Sequence, residues 1–191
     1  MKTEIENLDT QDSLRIITNM IQQAQGNMQK NSFYFLLWGW VIAVANLGMY
    51  GLMKFTDYPH PYIVWSITIL AWIVSLYRGY RQKATASVTT HFDRIAMWLW
   101  ISFGISSFII VFFGWKINYN INPVLFTVSA IPTLVAGVIL KFKPLILGAV
   151  CFWIMGILCF LVGSELQYLI GAVAMVLGYL VPGYMLKMKT D

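Results

Sequence analysis

The sequence predicts an all-α integral membrane protein: six transmembrane helices in three hairpins, preceded by an amphipathic cytoplasmic helix. Three observations predict it. The chain holds an apolar excess that no water-facing surface could carry. It contains six apolar runs of membrane-crossing length. Its basic residues fall almost entirely on one side of those runs.

Of the 191 residues, 59% are hydrophobic and 11% are charged. Soluble domains have about 45–50% apolar and about 25% charged residues. A fold of this size in water could not cover so much apolar surface, whereas lipid removes the need to. Eight Trp and ten Tyr also fit a chain with two membrane interfaces.

The six runs are Phe33–Met53, Tyr62–Tyr77, Ile95–Trp115, Pro123–Leu140, Pro144–Gly163 and Leu166–Leu186. A bilayer core takes about 20 apolar residues of helix. The second run is short and is expected to extend through Arg78, whose long stem reaches the headgroups. Continuous apolarity favours helices over barrel strands, which alternate and run about 10 residues. The first 32 residues are polar, and the run after them is too long for a signal-peptide core, so no secretory leader is expected.

Charge sets the topology. Lys2, Arg15 and Lys30 precede the first run. Arg78, Arg81, Lys83 and Arg94 lie between the second and third, Lys141 and Lys143 between the fourth and fifth, and Lys187 and Lys189 after the sixth. Eleven of the thirteen Lys and Arg thus share one side, leaving Lys54 and Lys116 on the other. The positive-inside bias places both termini in the cytoplasm. The domain plan is a cytoplasmic arm (1–32), a membrane domain (33–186) and a short cytoplasmic tail (187–191). The net charge of +5 is read as topology, not as nucleic-acid binding.

The outer connections are short: Lys54–Pro61, Lys116–Asn122 and Ser164–Glu165. A shift of 62 residues lays Trp38 on Trp100, Pro61 on Pro123 and Tyr80-Arg81 on Phe142-Lys143. That is a weak parallel repeat of the first two hairpins, which the third matches poorly.

The arm reads as helical from Asp12 to Asn31, with Asp9 or Asp12 as the cap. Leu14, Ile17, Ile21, Ala24 and Met28 recur at spacings of three and four, the stripe of an amphipathic helix. Its opposite face is mostly amide, with few Lys or Arg for strong lipid anchoring. Resting on the bilayer or on the bundle end is the plain reading. The sharper one makes Leu14, Ile17, Ile21 and Met28 a docking face for a protein partner or a second copy. Four acids (Glu4, Glu6, Asp9 and Asp12) stand on or before this arm, against four bases in the second loop. A weak, salt-screened contact between the two is a further expectation.

Within the runs there is no Asp, Glu or His, the groups with which ion-coupled pumps line the midplane. His60 and His91 lie in loops on opposite sides, and there is no HExxH or GxSxG. An enzyme is not expected, nor is a cofactor or metal. Asp57 and His60 share one outer loop, but two ligands without a third make a poor metal site.

The candidate ligand or pore residues are Asn46, Ser129, Pro132 and Thr133. Asn46 is the strongest polar group well inside a run, and an interhelical hydrogen bond is its ordinary role. Pro132 removes a donor and frees the Val128 carbonyl, which kinks the fourth helix. Ser and Thr beside such a break commonly satisfy what it frees. Small pairs four residues apart, Ser102/Ser106, Thr133/Gly137 and Ala174/Gly178, mark expected helix contacts. Cys151 and Cys159 are eight residues apart on one helix, roughly 12 Å. That is too far for a disulfide, so both are read as small packing residues.

The runs Phe33-Tyr-Phe-Leu-Leu-Trp-Gly-Trp40, Ile131-Pro-Thr133, Leu140-Lys-Phe-Lys-Pro-Leu145 and Leu180-Val-Pro-Gly-Tyr184 resemble a family of small, uncharacterised six-helix bacterial membrane proteins. The resemblance implies a helical bundle in the bacterial inner membrane and carries no activity, ligand or functional residue with it.

The functional expectation is a non-enzymatic membrane component whose arm meets a cytoplasmic partner or its own copies. The alternative is a small transporter or channel for a neutral or apolar solute. Topology reporters fused to the two ends are expected to report the same, cytoplasmic, compartment. Opposite compartments would break the six-span reading.

Overall fold

The structure, a computed structural model, describes residues 32–85 and 91–189. The predicted amphipathic arm, with Leu14, Ile17, Ile21 and Met28, lies outside the described residues. Every regular element among the described residues is helical. The helices are α1 (Ser32–Phe55), α2 (Ile67–Thr85, entered through a 3-10 turn at Pro61–Ser66), α3 (His91–Phe112), α4 (Ile121–Ile139), α5 (Lys143–Leu161) and α6 (Ser164–Met188). Six of the helical stretches are long and apolar enough to cross a membrane.

The helices match the predicted runs with shifted ends. The second does extend past Tyr77, and α2 carries on beyond Arg78. The third stops at Phe112, because a 3-10 turn at Gly114–Ile117 and left-handed residues Asn118 and Tyr119 (φ 52° and 58°) reverse the chain there. Apolar composition continues to Trp115, so composition alone overran the helix.

The α4–α5 connection is a Schellman turn. The Phe142 N–H reaches the Gly137 carbonyl at 2.9 Å and the Lys141 N–H reaches Val138 at 3.1 Å. Lys141 holds φ 50°, the left-handed position that usually belongs to Gly. Buried Phe142 follows it, and Pro144 opens α5 in its first turn, where a missing N–H costs nothing.

Burial divides the six helices into two groups. The apolar windows of α4 and α6 are 50% and 56% buried, and those of α1 and α5 are 33% each. The α2 window is 6% buried and the α3 window 0%. The core is therefore built by α1, α4, α5 and α6, with α2 and α3 outside. The two halves of the 62-residue repeat thus have unlike environments, since α1 is an inner helix and its counterpart α3 an outer one. The outer helices expose Ile69, Leu70, Ile73, Leu76, Ile105, Phe108 and Phe112, an apolar surface suited to lipid tails.

Close backbone approach makes the core. Among helices α2 to α6 the most extensive packing joins α5 antiparallel to α4. A side chain at Gly137 would meet the Ile146 nitrogen at 2.9 Å, and one at Gly156 would meet Thr127 Oγ1 at 3.0 Å. The inward positions of α5, Leu145, Gly148, Ala149, Phe152, Gly156 and Cys159, recur every three or four residues and are all buried. On the other side, Gly148 meets α6, where a Cβ would lie 2.6 Å from the Gly178 carbonyl oxygen. Helix α1 crosses α6 at Gly39, where a Cβ would stand 2.7 Å from Leu180. It holds α2 by a Trp38 Nε1–Ser75 Oγ hydrogen bond of 3.2 Å and by Arg78 over the Phe33 ring at 3.8 Å.

Two of the three predicted small pairs lie inside. Thr133/Gly137 and Ala174/Gly178 are buried on α4 and α6. The third does not: Ser102 is exposed on α3 and returns its hydroxyl to the Trp98 carbonyl at 2.9 Å. Cys151 and Cys159 are free thiols.

Gly148→Ala is expected to lower thermal stability by about 1–3 kcal/mol, because its new methyl meets backbone and no side chain is there to swing away. Gly51→Ala is the contrast. Nothing lies within 4 Å of its Cβ position, so replacing a mid-helix Gly should be neutral or raise stability by up to about 1 kcal/mol. Melting both variants in one detergent checks the pair.

Candidate functional site

Four side-chain amides from three segments meet inside the bundle, towards the end that carries residues 56–60, 113–120 and 162–163. Asn46 projects from α1 and is fully buried. Its Nδ2 donates back to the Ile42 carbonyl at 2.9 Å. Its Oδ1 accepts from Asn122 Nδ2 at 3.0 Å. Asn122, in the first turn of α4, also points Nδ2 at the Gln167 backbone carbonyl, 3.5 Å away. Gln167, in the first turn of α6, donates Nε2 to Asn120 Oδ1 at 3.0 Å. Asn120 closes the series with a 3.2 Å bond to the Ile117 carbonyl.

The local sequence explains the placement. Asn120 stands at the N-cap position of α4 with no capping bond to its own helix, so its amide is available to Gln167. Gly171, one turn into α6 from Gln167, lets Asn46 in: a Cβ there would sit 2.6 Å from Asn46 Oδ1 and 3.2 Å from the Phe126 ring. Buried Cys159 directs Sγ at the Gln167 carbonyl, 3.7 Å away.

A second buried polar group lies towards the opposite end. The Thr133 and Tyr179 hydroxyls are 3.1 Å apart, joining α4 to α6. Thr133 Oγ1 also bonds the Ser129 carbonyl at 2.7 Å, and Ser129 Oγ bonds the Phe126 carbonyl at 3.0 Å. Pro132 is buried between them, within a continuous α4. The hydroxyls beside the proline thus bond the helix's own carbonyls, as Ser and Thr do near such breaks.

Rings fill the space between the two polar groups. Phe126 stacks on Phe152 at 5.8 Å and 9°. Phe152 meets Tyr179 edge-on at 4.9 Å. Tyr179 packs on Phe35 at 5.5 Å, and Phe35 on Trp100 at 6.1 Å. The column reaches from the α4–α5 interface through α6 and α1 to α3.

The four predicted site residues are therefore brought together only in part. Ser129, Pro132 and Thr133 form one group with Tyr179, while Asn46 belongs to the other and is separated from them by Phe126 and Phe152. Sequence reading missed Asn120, Asn122, Gln167 and Tyr179. The three amides sit at or just beyond the ends of apolar runs, where polar residues are ordinary, and Tyr179 sits inside a run as one more aromatic. Their signal was chemical type, three uncharged amides near one membrane boundary.

His60 Nδ1 pairs with the Tyr62 hydroxyl at 2.7 Å. No three His, Cys, Asp or Glu among the described residues stand where they could hold a metal ion. Glu165 lies in the first turn of α6, where a carboxylate favours the helix dipole, and makes no capping bond.

Chemically, the amide cluster offers neutral donors and acceptors engaged with one another. It locks helices together, and it carries no group that titrates near neutral pH. Comparison with protein-family models, with curated proteins and with solved structures found no match.

Gly171→Ala is expected to destabilise the bundle by about 1–3 kcal/mol through its clash with Asn46. Asn46→Ala leaves Asn122 Nδ2 with only the distant Gln167 carbonyl, 3.5 Å away, and should cost about 1–3 kcal/mol. The double variant should cost less than the sum, since each change removes what the other offends. A double-mutant cycle by thermal unfolding reads the coupling, and strict additivity would sink the contact.

Proposed function

We propose that this chain is a non-enzymatic, multi-pass component of the bacterial inner membrane that acts by binding a cytoplasmic protein or its own copies. In this reading both termini are cytoplasmic, the spans form three hairpins, and the 1–32 arm presents Leu14, Ile17, Ile21 and Met28 to the partner. The carrying observation is how the buried polar groups are used. Asn46, Asn122, Gln167 and Asn120 bond one another across helices, and Thr133 bonds Tyr179. Such groups build a scaffold, which directs attention to the ends of the chain. The runs themselves hold no acid or His to drive chemistry or ion coupling.

Charge supports where the arm works. Arg78, Arg81, Arg94, Lys141, Lys143, Lys187 and Lys189 stand at the bundle end from which α1 begins, whereas Lys54 and Lys116 stand at the other. An arm with acids at Glu4, Glu6, Asp9 and Asp12 would emerge among those bases. Exposed pairs of this kind are worth about 0–1 kcal/mol and weaken with salt, so the contact is easily exchanged for a partner.

The second reading, a conduit for a neutral or apolar solute, draws on the break in α6 between Val176 and Leu180, which meets the Pro132 region of the continuous α4 inside the bundle through Tyr179 and Thr133. Transporter sites are commonly built on such breaks. The Phe126–Phe152 stack standing between Asn46 and Thr133 weighs against a continuous polar path.

Deleting Met1–Gln25 is expected to abolish the specific partners, or the second copies, recovered in a mild-detergent pull-down while leaving the bundle's melting temperature within about 2 °C. Unchanged recovery overturns the interaction reading. Uptake lost in Asn46→Ala and Pro132→Ala chains that still fold would favour the conduit.

A further inference from the structure

Helix α6 is not a uniform α-helix. It runs as α over Ser164–Met175, as π over Val176–Leu180 and again as α over Val181–Met188. Within the π turn the Val181 N–H reaches back five residues to the Val176 carbonyl. Pro182 accounts for the irregularity. It has no N–H, and its ring excludes a carbonyl four residues back, at Gly178. The π turn carries one residue more than an α turn and so absorbs the misfit. The Gly178 carbonyl displaced in this way is the one packed against Gly148.

The extra residue sets the phase of everything after it, because one residue is about 100° of helix rotation. In the observed register, a Cβ at Gly183 would sit 3.2 Å from Leu36 Cγ. The Tyr184 hydroxyl accepts from Trp40 Nε1 at 3.1 Å. Leu36 and Trp40 are one turn apart on the same face of α1. Were the extra residue to pass out through the C-terminal end, each residue of 181–188 would take the place its successor held. Gly183 would then stand where Tyr184 stands, beside Trp40.

The π segment has apolar neighbours on most sides. Phe152 lies against Gly178, and Gly39 against Leu180 and the Tyr179 Cβ. Such contacts are non-directional, although the close approaches of Phe152 and Gly148 to Gly178 limit how far the segment can turn. The Thr133–Tyr179 hydroxyl pair is different. It is directional and buried, it springs from the π segment itself, and it ties that segment to α4 one residue after Pro132. A bond at this point opposes rotation of the segment.

We propose that Val176–Leu180 is a register hinge, latched by Tyr179 on Thr133, that re-phases Val181–Met188 and with it the Lys187 and Lys189 end of the chain. The hinge would let a change inside the bundle alter the face that the last two turns present, whichever partner or solute the protein serves.

Cross-linking of the full chain in membranes tests it, with Cys151→Ala and Cys159→Ala as background. Gly183→Cys is combined either with Leu36→Cys, which reads the observed register, or with Trp40→Cys, which reads the shifted one, and a short bismaleimide joins the pair. The Leu36 product should dominate in the parent. Tyr179→Phe and Thr133→Val should each raise the Trp40 product relative to the Leu36 product by about three- to tenfold, the worth of one interhelical hydrogen bond. Deleting Leu177 removes the extra residue and leaves every later residue in its place. It should therefore abolish the Trp40 product even with Tyr179→Phe present. The hinge is overturned if neither latch variant raises the Trp40 product. It is equally overturned if the Leu36 product falls without the Trp40 product rising, which is fraying, or if the Leu177 deletion leaves the Trp40 product intact. Should the deletion chain not fold, the two latch variants decide alone.

Discussion

In hydrocarbon a polar group must find its partner within the protein, since no water stands by to supply one, and each group left over costs several kcal/mol. The inner bundle is arranged around that constraint. Each buried amide has another amide or a carbonyl to meet, and the hydroxyls next to Pro132 turn back on their own helix. Those bonds require α1, α4 and α6 to lie close together. Glycine makes the closeness attainable: Gly171 admits Asn46, and Gly148 admits the carbonyl that Pro182 displaces at Gly178. Polar satisfaction and small residues are thus two aspects of one packing solution. Apolar collapse cannot replace them, because lipid tails compete equally well for apolar side chains.

The same constraint explains the two-layered bundle. The helices that carry the buried amides lie inward, whereas the outer α3 carries hydroxyls, of which Ser102 bonds its own helix and Ser107 Oγ is buried without a partner among the described residues. The outer helices α2 and α3 carry few interhelical polar bonds. Helix α2 is held chiefly through Trp38, Trp72 and the Arg78–Phe33 contact. Helix α3 packs on α4, meets α1 through Trp100 on Phe35 and admits Trp72 at Gly104.

Three of the six prolines show how position decides what the residue does. Pro144 starts a helix, where its missing donor is harmless. Pro132 sits inside an α4 that stays continuous, and the Thr133 and Ser129 hydroxyls beside it bond the Ser129 and Phe126 carbonyls. Pro182 follows a π turn that takes up its misfit, and Tyr179 within that turn meets Thr133. Position relative to helix ends and to neighbouring hydroxyls, not the proline itself, decides which outcome follows.

Six apolar helices and their approximate ends were legible in the sequence, because composition and length report directly on solvation by lipid. Asn46 was legible as a partner in an interhelical hydrogen bond, and Thr133/Gly137 and Ala174/Gly178 as contact pairs, because polarity and small size stand out against an apolar run. The end of α3 at Phe112 was not, because the turn rests on left-handed Asn118 and Tyr119 and not on a change in hydrophobicity. Nor was the outward place of Ser102, since a small residue reads alike whether a helix or lipid faces it. Which helices are inner, which amides Asn46 meets, and that Tyr179 reaches Thr133 were decided by tertiary structure alone. Those outcomes depend on how helices are ordered around the bundle axis. Hydropathy along a chain measures depth in the membrane and contains no term for lateral position.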